Sequence, residues 1–176
     1  MENEHIRHDI SIIRPQLHND DIQTRGRNLP HSKLNNIKKA LRTLHTLELM
    51  AINIYRFQVT KKPSSLNRQL IAAACNEMTH YQDFQVKLLE YGLKPAKLRW
   101  LYWIVGAAIG KTSRLAGTRA ILKTAIWVES KATAHYDELL NLVEWDEDTH
   151  RVIEKNQSDE YGHIRRWKNL LQSNKG

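Results

Sequence analysis

Apolar residues recur at three- and four-residue intervals along four long stretches of the chain, the repeat of helices that each bury one face. The first stripe carries Leu41, Leu44, Ala51, Ile52 and Tyr55, the second Leu70, Ala73, Ala74, Phe84 and Leu88. The third carries Leu122, Ala125, Ile126, Ala132 and Tyr136, and the fourth Ile153, Ile164, Trp167 and Leu171. Ser32 is placed to cap the first helix, which runs to about Val59 before Lys61-Lys62-Pro63 stops it. Ser64 or Ser65 caps the second, which ends near Tyr91 with Gly92 and Pro95 beyond it. A short apolar piece follows, Leu98 to Gly110. A helix is then predicted over roughly Thr112 to Val143, and a last one from Asp146 or Asp148 to about Ser173. Period-two alternation is hard to find, and glycine and proline are sparse, so the fold class is all-α. Residues 1–31 are polar and broken by Pro15 and Pro30, and read as an arm; residues 32–176 read as one helical bundle.

The four stripes share an anomaly. Each carries a glutamate on its apolar face: Glu48, Glu77, Glu129 and Glu160. Two carry a histidine three residues on, His80 and His163, where i and i+3 side chains share a face. A buried ionised carboxylate is costly unless it is paired or bound to metal. Glu-x-x-His alone is a weak pattern: chance would give fewer than one match, and the chain has four. Glu2/His5 lies in the polar arm and Glu147/His150 in an acidic helix start, where a solvated or dipole-facing charge explains them. The other two pairs sit in mid-helix, each preceded by a lone glutamate 29 or 31 residues upstream. Four carboxylates and two imidazoles from four helices form the ligand set of a two-metal bundle site. Carboxylate-rich donors suit iron or manganese better than zinc. Beside this set, Asp159 can orient a ligating imidazole, and His45, His135 and Tyr136 can form a polar layer or, for the histidines, be ordinary core residues.

Charge and cysteine content narrow the setting. The formal net charge is +8, which calls for an anionic partner. Nothing resembles a zinc finger, an aromatic RNA-binding signature or an isolated basic block, so a membrane surface is favoured over nucleic acid. The single Cys75 excludes an internal disulfide, suits a reducing compartment and reads as a small core residue. Met1 to Pro15 is charged and does not read as a secretory signal. No apolar run of about 18 residues occurs, so no ordinary spanning helix is expected.

The chain resembles the demethoxyubiquinone hydroxylases, ferritin-like di-iron enzymes of ubiquinone biosynthesis. The likeness runs from about Leu41 to Leu171. It rests on His45-Thr-Leu-Glu48 with Asn53-Ile54-Tyr55, Glu77-Met-Thr-His80, Val128-Glu129 with His135-Tyr136, Asp159-Glu160-Tyr-Gly-His163, and an apolar Gly106-Ala-Ala-Ile-Gly110 segment. The resemblance implies a ferritin-like four-helix bundle with a short extra apolar helix between the second and third ligand helices. It implies that Glu48, Glu77, His80, Glu129, Glu160 and His163 hold two iron ions, with His135 and Tyr136 as functional neighbours. It further implies dioxygen as co-substrate, a membrane quinone or lipid as substrate, and an external reductant such as NADH. No glycine fingerprint for a dinucleotide is present. Around the first glutamate the chain departs from the family: Leu44 replaces an aspartate, Leu47 and Met50 replace glycines, Leu49 replaces a tyrosine, and Ser130 stands where a second glutamate is common.

A quinone substrate places the protein on a membrane, here expected to be the cytoplasmic face, alone, as a homo-oligomer or in a biosynthetic complex. The contact expected is Leu98 to Gly110, with Trp100, Tyr102 and Trp103 suited to the interface and Lys97, Arg99, Lys111 and Arg114 flanking them. Competing readings are a ferritin-like iron-oxidising or iron-storage protein, a divergent di-iron oxygenase acting on another lipid, and a basic helical bundle whose Glu/His layer is structural.

Overall fold

A computed structural model describes His18, Asp20 and residues 22–173. The described residues form five α-helices and no strands: α1 (His31–Gln58), α2 (Ser65–Glu90), α3 (Arg99–Leu115), α4 (Thr118–Leu142) and α5 (Glu147–Ser173), with a 3-10 turn at Gly26–Asn28. The all-α bundle expected from the stripes is borne out. α1 is the hub, packed against α2, α3 and α4, and α4 packs mainly on α5.

Local chemistry explains the ends. Ser64 Oγ accepts from the Asn67 amide at 3.1 Å, and Asp146 Oδ1 accepts from the Thr149 amide at 3.1 Å, so both serve as N-terminal caps. Ser32 is not a cap. α1 starts at His31, with the Pro30 carbonyl accepting from the Leu34 amide at 3.0 Å as the first helical bond. The apolar piece and the third ligand helix divide later than the sequence indicates. α3 runs through Gly110 to Leu115, and the break falls at Gly117, whose φ of 93° only glycine adopts readily.

Gly110 has another use. A Cβ at Gly106 or Gly110 would collide with the carbonyl oxygens of Met50 and Ile54, so these two glycines let α3 lie close on α1. Cys75, expected in the core, is exposed on α2. It lies two residues from Glu77, about 200° round the helix, on the side away from the bundle axis.

The core is layered along the bundle. One end holds Ile37, Leu41, Leu44, Phe84, Leu88, Tyr91 and Ile153. The other holds Tyr55, Leu70, Ala73, Ile121, Leu122, Ala125 and Trp167. The Glu/His layer lies between them. Most of the expected arm lies outside the described residues, but its last part is anchored. The Arg25 amide donates to the Glu90 carbonyl at 2.9 Å, and the Arg25 guanidinium bonds Asp146 and Asp148. Lys87 joins this group through Glu90 at 2.9 Å and Asp148 at 2.7 Å.

Candidate metal centre

α1, α2, α4 and α5 each turn a glutamate inward, and Glu48, Glu77, Glu129 and Glu160 are all buried, with His80 and His163 beside them. Two groups of potential ligand atoms result: Glu48, Glu77, His80 and Glu160, and Glu77, Glu129, Glu160 and His163. Within each, the atoms lie within 4.8 Å of one another. The overlap is specific. Glu77 turns Oε2 toward His80 Nδ1 (3.5 Å) and Oε1 toward His163 Nδ1 (3.0 Å). Glu160 does the same with Oε1 (3.0 Å) and Oε2 (3.5 Å). Both carboxylates therefore span the two groups, with Glu48 serving one and Glu129 the other.

These atoms are left wanting. Both oxygens of Glu77 and of Glu160, Glu129 Oε2 and His80 Nδ1 are buried without a hydrogen-bond partner, an expensive state for polar atoms. Burial and the charges of Glu77 and Glu160 push the Glu48 carboxyl well above the usual range. Burial and Glu160 push Glu129 to about 8. Burial works against a charged His163, but its contact with Glu129 and the adjacent carboxylates of Glu160 and Glu77 outweigh it and raise the imidazole to about 12. Protein alone balances this layer only by holding protons. Four carboxylates and two imidazoles match two divalent cations in charge and in donor number, so the residues present fit a metal pair.

A surrounding shell fixes the ligands. Asp159 Oδ2 lies 3.2 Å from His80 Nε2. The His80 proton holds Asp159 below the ordinary carboxylate range, so the carboxylate accepts from Nε2–H and Nδ1 keeps the lone pair for a metal. Tyr136 donates to Glu48 Oε1 at 2.6 Å. Tyr55 donates to Glu129, and Trp167 Nε1 donates to the Tyr55 hydroxyl at 3.2 Å. Sequence reasoning had Tyr55 and Trp167 as core only. The signal was present, since Tyr55 is two turns beyond Glu48 and Trp167 one turn beyond His163.

The two further histidines form no such layer. His45 is buried and stacked on Tyr81 with ring centroids 4.0 Å apart, but neither nitrogen makes a hydrogen bond. His135 is half-exposed and faces Glu138 at 3.7 Å. Six residues from Glu129 is about 240° of helical turn, whereas Tyr136, at seven, returns to the ligand face. A cavity of about 200 Å³ between α1 and α4 is lined by Leu47, Met50, Ala51, Trp127 and His135 and reaches Glu48, Glu77 and Glu129. Trp100, Tyr102 and Trp103 do not approach the metal layer's cavity; they lie on α3 and are 53, 41 and 40% exposed.

A helical bundle with two overlapping carboxylate/histidine groups has the donor layout of the carboxylate-rich two-metal class. Within it, residues 35–172 match the family described as Ubiquinone biosynthesis protein COQ7, and the chain belongs to that family. The 3-demethoxyubiquinol 3-hydroxylase of Legionella pneumophila (strain Lens) is 27% identical over 160 residues, covering 87% of this chain and 75% of that protein. The enzyme of the same name from Alcanivorax borkumensis is 26% identical over 137 residues, 77% of this chain and 63% of that one. That from Polaromonas sp. is 28% identical over 125 residues, 70% of this chain and 60% of that one. The resemblance read from the sequence is thus borne out.

Proposed function

We propose that this chain is a di-iron monooxygenase of ubiquinone biosynthesis that hydroxylates the ring of a demethoxyquinol precursor at a membrane surface. The observation that carries it is the buried layer in which Glu77 and Glu160 each face both histidines while their oxygens lack partners. Iron held by these residues would supply dioxygen activation, one oxygen atom entering a ring C–H bond and the other leaving as water, with two electrons from an external reductant such as NADH and two protons taken up.

The chain's own residues do the rest. Glu48 and Glu129 would each hold one ion and Glu77 and Glu160 would serve both, with His80 and His163 as nitrogen donors. Tyr136 and Tyr55 keep Glu48 and Glu129 oriented through their hydroxyls. Asp159 fixes the His80 tautomer. Leu47, Met50, Ala51 and Trp127 wall the cavity that leads to the carboxylates and give it an apolar surface suited to a quinol ring.

Membrane access belongs to α3. No helix among the described residues is long and apolar enough to cross a bilayer. Yet Trp100, Leu101, Tyr102, Trp103, Ile104 and Val105 are all exposed, a consecutive apolar surface that a headgroup boundary accommodates. The reaction is tested by mass-spectrometric quinone profiling of cells lacking this gene. A precursor short of one methoxy group accumulates, wild type clears it and Glu160→Ala does not. An unchanged profile in cells without a second such enzyme contradicts the reading.

A further inference from the structure

Three stretches of the chain, 49–76, 91–128 and 161–176, contain no aspartate or glutamate. The fold brings parts of all three to one end of the bundle. Gln58 Nε2 donates to Ser113 Oγ at 2.9 Å, and an Arg114 guanidinium nitrogen donates to the Val59 carbonyl at 3.4 Å, joining the ends of α1 and α3. Trp167 of α5 stacks on Tyr55 with centroids 5.7 Å apart, in the cluster that also holds Leu70 of α2 and Ile121 of α4. Residues 49–76, 107–128 and 161–173 carry eleven lysines and arginines, every one exposed. Among the described residues, none of the eleven forms an ion pair with a carboxylate.

The opposite end is different in kind. There Glu90, Glu144, Asp146 and Asp148 pair with Arg25, Lys33 and Lys87. Among the described residues these three stretches carry cations and no carboxylate, while the remainder carries more carboxylates than cations, so the positive charge is gathered at one pole. Gathering like charges destabilises a compact fold through self-repulsion, and an anionic surface removes that cost. What kind of surface follows from the neighbour. The exposed apolar row of α3 runs by way of Lys111 and Arg114 into this pole and ends at Leu115, 83% exposed. Cations continuous with exposed aliphatic and indole side chains match a bilayer carrying anionic headgroups, with apolar depth behind the charge.

We propose that this cationic pole docks on anionic phospholipid, selecting the lipid class and setting the bundle's orientation as α3 enters the headgroup region. This rests on the membrane contact assigned to α3 above and adds lipid selectivity, carried by different residues. The test is flotation of the full, iron-loaded chain with vesicles of phosphatidylcholine, alone or mixed with phosphatidylglycerol. Binding is expected to require the anionic lipid and to weaken as salt rises. Lys61→Gln/Lys62→Gln/Arg119→Gln should weaken it by about tenfold or more. Arg27→Gln/Lys39→Gln/Lys94→Gln, an equal loss of charge away from the pole, should leave it near wild type. Both variants should keep wild-type helical circular dichroism and iron content.

Equal binding to both vesicle types, or equal loss in the two variants, overturns the proposal. If Trp100→Glu/Trp103→Glu abolishes binding while the pole variant binds as wild type, the α3 contact stands and the pole's role falls. Salt-sensitive binding of duplex DNA with no vesicle binding assigns the pole to nucleic acid instead and also overturns it.

Discussion

At the scale of single residues, the candidate site depends on side chains outside the Glu/His set. Tyr136 holds Glu48 Oε1 through a buried 2.6 Å hydrogen bond. Losing such an orienting partner typically costs about 10–100-fold in metal affinity. Tyr136→Phe should therefore weaken iron binding by that order in a competitive chelator titration while leaving the helices intact. Unchanged affinity would remove Tyr136 from the account. His45 gives a pH signature. Burial lowers its imidazole to about 4, with Gln85 opposing and Arg99 reinforcing the shift. An unfolded histidine takes its proton near 6.5, so between these values the unfolded chain binds the extra proton. Stability is full above about pH 6.5, falls as the pH drops to 4, and levels off below. His45→Phe should flatten that slope in denaturant titrations, by on the order of 1 kcal/mol once screening is allowed for. The candidate ligands were legible in the sequence because a glutamate on an apolar stripe contradicts the stripe. Tyr55 and Trp167 were not, because a tyrosine or tryptophan on such a stripe contradicts nothing.

At the scale of elements, helix identity followed from periodicity, but the junction of α3 and α4 did not. Gly106, Gly110 and Gly117 look alike in sequence. In the fold two of them meet the backbone of α1, and only the third breaks a helix. Their substitutions should differ accordingly. Gly106→Val forces α3 off α1 and should lower stability by about 1–3 kcal/mol in urea denaturation. Gly162→Ala, whose Cβ meets only the far end of Arg166 at 3.5 Å, should raise it by roughly 0.5–1 kcal/mol. The seam between α1 and α4 carries a functional counterpart. Ala51 is a wall of the cavity above the carboxylates, where Leu47 and Met50 already take up space. Ala51→Leu should fill much of that cavity, leaving two irons bound and abolishing ring hydroxylation. Retained turnover of a tail-less quinol would show that substrate arrives by another route.

At the scale of the whole molecule, three layers succeed one another along the bundle: an apolar end tied by the Arg25, Lys87, Asp148 and Glu90 network, the Glu/His layer, and an apolar end ringed by cations that pair with no carboxylate among the described residues. The total charge was plain in the sequence, whereas its segregation depends on which helix ends meet. The ion network was equally hidden, since Arg25 lies 121 residues from Asp146. Burial raises the Asp148 carboxyl, but the bonds from Arg25 and Lys87 outweigh this and hold it below the ordinary range. Its contribution is present above about pH 4 and is lost as the pH falls further. Asp148→Asn should thus lower stability at neutral pH and narrow the gap to wild type in acid.

The central claim is that one buried layer holds two metal ions and that Glu77 and Glu160 belong to both. Anaerobic ferrous titration of the metal-free protein, with bound iron counted by mass spectrometry, tests it directly. Two irons per chain are expected for wild type, and Glu77→Ala and Glu160→Ala should each lose both sites rather than one. Fewer than one iron per wild-type chain, or a variant that still binds two, would contradict it.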